Sequence, residues 1–456
     1  MARSMRLARD MYIVLLLHLA WALMAVPVVT RQQRVPASAA TWLALILLLP
    51  VAGTLLYILA GYRRNGPAAD CPACRGDRLE QIIAHGCGTR PTRYNRVGLL
   101  HNGNNAFTAL IASLQRATRS IHMEYYIIRD DRIGHTIAEI LIRKARAGLE
   151  VRVIYDAVGS WRLSRKTLRR MHDAGVETAA FEPVRFPWFT TRVTHRNHRK
   201  IVVVDGKIGF TGGINVADRY VHGTKFGPWR DTHLRIEGDA VNMLQAIFMT
   251  DWYFVSGKEL LNDEKYFPKS RIRTRSPMQI ASSGPDSDWA SIMQAFFAAI
   301  NKARKSIYIS TPYFLPNQAI LTALKVAALS GVDVRIILPF RSDSKIVYWA
   351  SRSYIGEMLD AGIKVYFFCK GFNHSKILII DDNFCSVGSA NMDIRSFEDN
   401  FEVSAIMYDP KVAEELTGYF LGDIGNSVAV TPESWENRPN LHAVYESLAR
   451  LASPLL

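Results

Sequence analysis

"HSKILIID", residues 374–381, sets a histidine and a lysine ahead of a solid run of Leu and Ile. The apolar, partly β-branched run reads as a strand buried on both faces. Side chains two apart on a strand point the same way, so His374 and Lys376 stand side by side at the edge of a core. "HRKIVVVD", residues 198–205, repeats the pattern with His198 and Lys200. Both copies run on to a small pair and an asparagine, "GGIN" at 212–215 and "GSAN" at 388–391, and then to Arg219 and Arg395 at equal spacing. A lone His-x-Lys is a weak signal, but two copies in register over 198–219 and 374–395 are a strong one.

The surrounding chain is duplicated as well. "SIHMEYYII" (120–128) matches "SIYISTPYF" (306–314), and "AGLEVRVIYD" (147–156) matches "SGVDVRIILP" (330–339). "MHDAGVETAAF" (171–181) matches "MLDAGIKVYFF" (358–368). Strand-like runs alternate with helical stretches such as "GHTIAEILIRKARAG", an order that implies α/β domains with largely buried sheets. Residues 263–277, polar, basic and bounded by proline, read as the linker between two halves that share one cleft.

Brought together, the halves supply two imidazoles, two ammoniums and the amides of Asn215 and Asn391. Gly213 and Ser389 let the backbone approach a ligand closely. Such a donor-rich pocket suits a tetrahedral oxyanion, a phosphate. The two histidines then divide the work: a neutral imidazole attacks phosphorus, and a protonated one serves the leaving group as acid and the next nucleophile as base. Asp231 in "PWRDTHLRIEG" and Glu402 in "NFEVSAI" each open a strand-like run and are the candidates for orienting the rings. Asp205 and Asp381 complete the two motifs. They lie an odd number of residues past their histidines, at turns, and so suit bracing rather than chemistry.

The chain has 456 residues and a formal net charge of +15, a balance that suits an anionic partner. Residues 11–30 and 42–62 carry no formal charge, and each is long enough to cross about 30 Å of hydrocarbon. They predict a membrane-anchored hairpin within 1–66. Arg3, Arg6, Arg9, Arg63, Arg64, Arg75 and Arg78 flank it, against Arg31 and Arg34 between the spans, which puts both ends in the cytoplasm. A connector over 67–97 and halves over 98–262 and 278–456 follow. The Arg, Phe and Trp of 182–197 suit a loop at headgroup level. Five cysteines give no disulfide framework. Cys71, Cys74, His85 and Cys87 could offer four ligands to zinc, but their spacing matches no familiar ribbon or finger, and no metal is expected.

The paired motifs resemble the duplicated signature of the phospholipase D superfamily. "HNGNNAFTALI", "DAVGS", "STPYFLPN", "NMDIRSFEDNFEV" and the terminal "SPLL" are similar to blocks of its bacterial, two-span cardiolipin synthases. That resemblance implies an N-terminal two-helix hairpin and two pseudo-twofold-related α/β/α sandwich domains with a central mixed sheet each. It implies a phosphatidyltransferase of the bacterial inner membrane that joins two phosphatidylglycerols into cardiolipin and releases glycerol. It also implies no cofactor and no nucleic-acid partner. His198 is then the nucleophile and His374 the acid/base, with Lys200, Lys376, Asn215 and Asn391 holding the phosphate. A lipid hydrolase, and a transferase using phosphatidylethanolamine as donor, remain alternatives. The oligomeric state is left open, a homodimer included.

Overall fold

The computed structural model describes residues 12–13, 18, 20–29, 36–57, 77–181, 195–287, 289–451 and 453. The chain divides into two compact units, residues 1–66 with 182–195 and residues 67–181 with 196–456. The headgroup-level loop expected at 182–197 lies, as far as 194, outside the described residues, as do Cys71 and Cys74. His85 and Cys87 bond the helical carbonyls of Gln81 and Ile83, and no metal-ligating cluster occurs among the described residues.

The larger unit is built on one 16-stranded mixed sheet. Its first half supplies β1 (Thr92–Asn102), β2 (Ser120–Tyr125), β3 (Glu150–Asp156), β4 (Glu177–Phe181), β5 (Lys200–Val204), β6 (Ile208–Gly212) and β7 (Trp229–Gly238). The second supplies β8 (Arg275–Ser283), β9 (Ser306–Ser310), β10 (Asp333–Pro339), β11 (Lys364–Phe368), β12 (Ile377–Ile380), β13 (Phe384–Gly388), β14 (Glu402–Met407) and β15 (Ser427–Val430). The order is β15-β11-β10-β9-β12-β13-β14-β8-β1-β7-β6-β5-β2-β3-β4, with the short strand Phe372–Asn373 on β7. Outward from the antiparallel β1–β8 pair, the strands of the two halves follow one another in matching order, with β15 added at the edge of the second half. The two sheets expected from the repeat are therefore one. β1 begins inside the stretch read as a connector and β8 inside the stretch read as a linker, so both form the central seam. The linker is pinned as well: Tyr266 is buried against His122, and Arg152 Nη1 donates to its hydroxyl at 2.9 Å.

Helices cover both faces of this sheet. On one face Phe248 and Trp252 of helix Val241–Ser256 and Phe420 of helix Pro410–Ile424 pack on strand residues of both halves, Ile201 and Leu234 with Ile377 and Val403. The other face carries a separate apolar cluster for each half. The β5 and β12 runs are buried throughout, as their unbroken apolar sequence requires.

In the smaller unit, the described part of the span expected over 42–62 falls in helices Pro36–Leu48 and Pro50–Leu56, and residues 58–62 lie outside the described residues. Pro50 has no N–H to give the carbonyl one turn back, and Leu49 leaves the helical region at φ −132°, ψ 77°. No helix among the described residues is long and apolar enough to cross a membrane.

Asp205 and Asp381 are the non-glycine residues at positive φ, 56° and 50°, among those described. Each closes its buried strand and turns its carboxylate onto a row of backbone N–H groups. Asp205 accepts from Thr118, Arg119 and Ser120, and Asp381 from Arg304, Lys305 and Ser306. Both sit at the far end of the strand from their histidines, a purchase on the helix-to-strand turn. Replacing Asp205 with Ala strands three N–H groups in a strained turn, and the expected loss is about 1–3 kcal/mol of stability. Asp205→Asn, which tolerates positive φ and keeps one acceptor, should lose less. Thermal unfolding of the two purified variants checks the order.

Candidate active site

Each histidine lies in the segment leading into its strand, and that segment hydrogen-bonds to the other half. His198 N donates to Phe401 O at 2.9 Å and Phe401 N to Arg196 O at 3.0 Å, with a parallel bridge between Asn197 and Phe401. His374 N donates to Arg230 O at 2.7 Å, and Phe372–Asn373 pairs in parallel with Trp229–Arg230 of β7. These short ladders set each imidazole beside the carboxylate that follows on the partner strand. His198 Nδ1 donates to Glu402 Oε1 at 2.9 Å, and His374 Nδ1 lies 2.9 Å from Asp231 Oδ2. Both carboxylates named from sequence thus meet a histidine, in each case that of the opposite half.

The lysines fold back on their own motifs. Lys200 Nζ donates to the His198 carbonyl, and Lys376 Nζ to the His374 carbonyl at 2.6 Å. Lys376 Nζ also stands 2.8 Å from His374 Nδ1. His374 therefore shares its Nδ1 between an ammonium and a carboxylate, whereas His198 Nδ1 meets Glu402 alone. Tyr126 packs edge-on against His198 at 5.0 Å, and Tyr313 does the same for His374 at 6.2 Å. Sequence reasoning passed over these tyrosines. Their signal is an aromatic just past β2 and β9 in each copy of the repeat, offset by one position.

The small pairs and asparagines serve the carboxylates and the scaffold. A Cβ on Gly213 would meet Asp231 Oδ1 at 2.0 Å, so glycine there makes room for the carboxylate. At the matching place Ser389 Oγ donates to Glu402 Oε2. Asn215 takes a hydrogen bond from Ile127 N at 3.1 Å and gives one to Tyr220 OH at 2.7 Å; Asn391 Nδ2 donates to Asp393 at 3.1 Å. Each amide expected at a ligand therefore has one donor engaged within the protein. Arg199, also passed over, ties the wall together through Asp251 (2.6 Å), Glu402 O (3.2 Å) and Ser283 O (3.2 Å).

Burial governs the electrostatics. It lowers the pKa of His198, with Glu402 opposing and Lys200 and Lys376 adding to the fall. It lowers that of His374 further, with Lys376 the next cause. Lys200 falls to about 7 and Lys376 to about 8, again through burial first. Burial raises Asp231. It would raise Glu402 too, but His198, Lys200 and the Ser389 hydroxyl outweigh it and hold that carboxyl below its ordinary value. Burial thus works against every cation gathered here, a cost that an anion such as phosphate would offset.

Comparison with known proteins agrees with this chemistry. The family model described as "Cardiolipin synthase, PLD-like domain" matches residues 110–252 and 296–424, and that described as "Phospholipase D-nuclease N-terminal" matches 19–61. The chain is similar to the cardiolipin synthase of Geobacillus sp. at 43% identity, over 94% of this chain and 91% of that one. Similarity to that of Staphylococcus aureus is 38%, over 95% and 94%. In fold it is similar to phosphatidylserine synthase of Haemophilus influenzae, with TM-score 0.62 and 14% identity over 83% of this chain and 99% of that one. Polyphosphate kinase of Porphyromonas gingivalis follows at TM-score 0.52 and 13% identity, over 83% and 56%. Two histidine–lysine motifs crossed onto two carboxylates, on a duplicated α/β sheet shared with these proteins, accompany identity of this extent over nearly the whole chain: it belongs to the cardiolipin synthase family of the phospholipase D superfamily.

Proposed function

We propose that this chain transfers a phosphatidyl group from one phosphatidylglycerol to another, giving cardiolipin and glycerol through a phosphatidyl-histidine. The observation that carries the reading is the crossed pairing of His198 with Glu402 and His374 with Asp231. Residues 98–262 and 278–456 are the two phospholipase D-like halves. Residues 11–30 and 42–62 are a membrane-embedded hairpin, a reading supported by the family match over 19–61. The catalytic halves then face the cytoplasmic side of a bacterial inner membrane.

With Nδ1–H held by Glu402, His198 keeps its Nε2 lone pair for phosphorus. Its N–P bond forms as the bond from phosphorus to the glycerol oxygen breaks, and that oxygen takes a proton from His374. The terminal hydroxyl of a second phosphatidylglycerol then gives His374 a proton, its oxygen bonds phosphorus and the N–P bond breaks. One phosphodiester replaces another, so no nucleotide is consumed. Lys200 and Lys376 neutralise the phosphoryl oxygens. The phosphate screens Lys376 from His374 in return, which raises that imidazole towards its acid role. The contrast at Nδ1, a carboxylate alone for His198 and a competing ammonium for His374, supports His198 as nucleophile. Asp205 and Asp381 act as braces, and Asp231 and Glu402 as orienters.

Phosphatidylglycerol vesicles incubated with the full chain should yield cardiolipin and glycerol in equal amounts. Free phosphatidic acid in place of cardiolipin would instead mark a hydrolase. In His374→Ala, an alkaline quench should find labelled phosphatidyl on His198. Label on His374 in His198→Ala would reverse the roles.

The dependence of kcat/KM on pH follows from the free-enzyme groups. His198 must be neutral, and its pKa lies below the ordinary 6.5, so activity rises with pH on a limb below that value. Lys200 and Lys376 must be charged, and they lose charge as pH rises through about 7 and about 8. His374 must hold a proton, and its pKa lies lower still, so initial rates between about pH 5 and about pH 9 should give a bell with its summit below neutrality and a fall that steepens as the lysines lose charge. A rate still level at the alkaline end would contradict the lysine assignment.

A further inference from the structure

Three arginines of the first half, Arg129, Arg162 and Arg219, lie within electrostatic reach of one another beside the site. Arg129 follows β2, and its backbone N donates to Val216 O at 3.0 Å, which docks it against the segment that carries Arg219. Arg162 lies in the loop after β3, stacked on Trp161 at 4.8 Å. Ser160 staples that loop to the same strand end: its hydroxyl accepts from Ile128 N at 2.9 Å and donates to Tyr126 O at 3.0 Å. The Arg219 guanidinium lies over Trp229 at 5.0 Å and Tyr220 at 5.2 Å, donates to Tyr220 OH at 3.2 Å, and has its Nε buried with no hydrogen-bond partner.

The carboxylates in reach are engaged elsewhere. Asp131 accepts from Gly134 N and Asp218 N, Asp218 from Ile133 N, and Asp343 from the Tyr313 hydroxyl. Among the described residues none of the three arginines is in a salt bridge. After burial, Arg219 and Arg162 are the next causes that lower the Arg129 pKa. An anion among them would offset that repulsion.

The two halves differ here: in the repeat register that matches Ser120 to Ser306, Arg129 corresponds to Leu315, while Arg219 has Arg395 as its counterpart. Arg219 is also near the right histidine. Trp229 bridges the two, its ring 5.0 Å from that of His374 and equally far from the Arg219 guanidinium, so arginine and imidazole are within about 10 Å. The product of the proposed reaction has two phosphates joined through a three-carbon glycerol, which puts its phosphorus atoms about 7–8 Å apart when extended. One anion between the paired lysines leaves the other to be held at about this range.

We propose that Arg129, Arg162 and Arg219 bind the phosphate of the second, acceptor phosphatidylglycerol and aim its terminal hydroxyl at His374. This rests on the transfer reading above. The two phosphates are thereby handled by different chemistry. Lysines beside the reacting histidines hold the one that is attacked, and an arginine cluster holds the one that is not.

The test compares two acceptors on the same donor. Full-length wild type, Arg219→Gln, Arg129→Gln and Arg219→Lys are given phosphatidylglycerol vesicles with labelled glycerol. Cardiolipin formation and exchange of labelled glycerol into the lipid are then measured together. Glycerol carries no phosphate, so exchange needs the histidines but not the cluster, and it reports that each variant is folded. The ratio of cardiolipin formation to exchange should fall about 10–100-fold in either Gln variant, the worth of a charged hydrogen bond, and recover in part in Arg219→Lys. Equal loss of both activities would mean a structural or donor-side role and overturn the proposal, as would an unchanged ratio. A wild type giving phosphatidic acid alone would fail the transfer reading itself, and this site with it.

Discussion

The site depends on a backbone exchange between halves. A strand offers its hydrogen bonds laterally, and the run-in to each histidine spends its own on the opposite half, at Phe401 for His198 and at Arg230 for His374. The carboxylate that follows on each partner strand then meets the ring without a separate device. Orientation of an imidazole to within a hydrogen bond normally needs a dedicated support. Here two ladders bring both rings to one place and orient them, and neither half alone can build a complete histidine–carboxylate pair. Duplication of one α/β unit becomes an active site only because the copies share an edge through β1 and β8.

Features carried by local pattern were legible in the chain. The buried strands after each histidine follow from unbroken apolar runs, the repeat from three matched blocks, and the phosphate chemistry from the kinds of residue duplicated. Asp231 and Glu402 were found because each opens a strand. What the chain did not disclose is long-range. The Glu402–His198 contact spans 204 positions, and nothing local distinguishes a crossed pair from an uncrossed one. Fusion of two sheets into one was missed because β1 opens with polar sequence and β8 with a polar stretch interrupted by Pro277, both of which read as connection. Gly213 and Ser389 were assigned to the ligand; their neighbours are the carboxylates, a distinction that only atomic contact makes.

Burying two lysines beside two histidines is costly by itself, since each ammonium loses water and repels the others. The two carboxylates offset part of this but are committed to the imidazoles. The shortfall appears as lysines poised near 7 and 8 and histidines held below their ordinary range. In the proposed reaction a phosphodiester would supply the missing negative charge, and its binding would charge the site. Electrostatic assembly completed only by the anion favours the state in which bonds are exchanged, because charge on the phosphoryl oxygens grows towards the transition state.

The pseudo-symmetry is broken where a transferase needs it broken. Glu402 accepts from the Ser389 hydroxyl and its pKa is held below the ordinary value, which favours the His198 tautomer with Nδ1–H towards Glu402 and a free lone pair on Nε2, as the proposed nucleophile needs. Asp231 faces glycine instead, is raised by burial and contends with Lys376 for the same nitrogen, which leaves His374 more able to exchange its proton. A nucleophile benefits from a single fixed tautomer, whereas an acid that becomes a base within one cycle benefits from a lightly held proton. Arg219 lies on the His374 side, by way of Trp229, and Arg129 of the same group has Leu315 as its counterpart in the repeat. Under the proposed transfer, two similar halves would then treat two identical lipids differently, one as the group that is carried and the other as the alcohol that receives it.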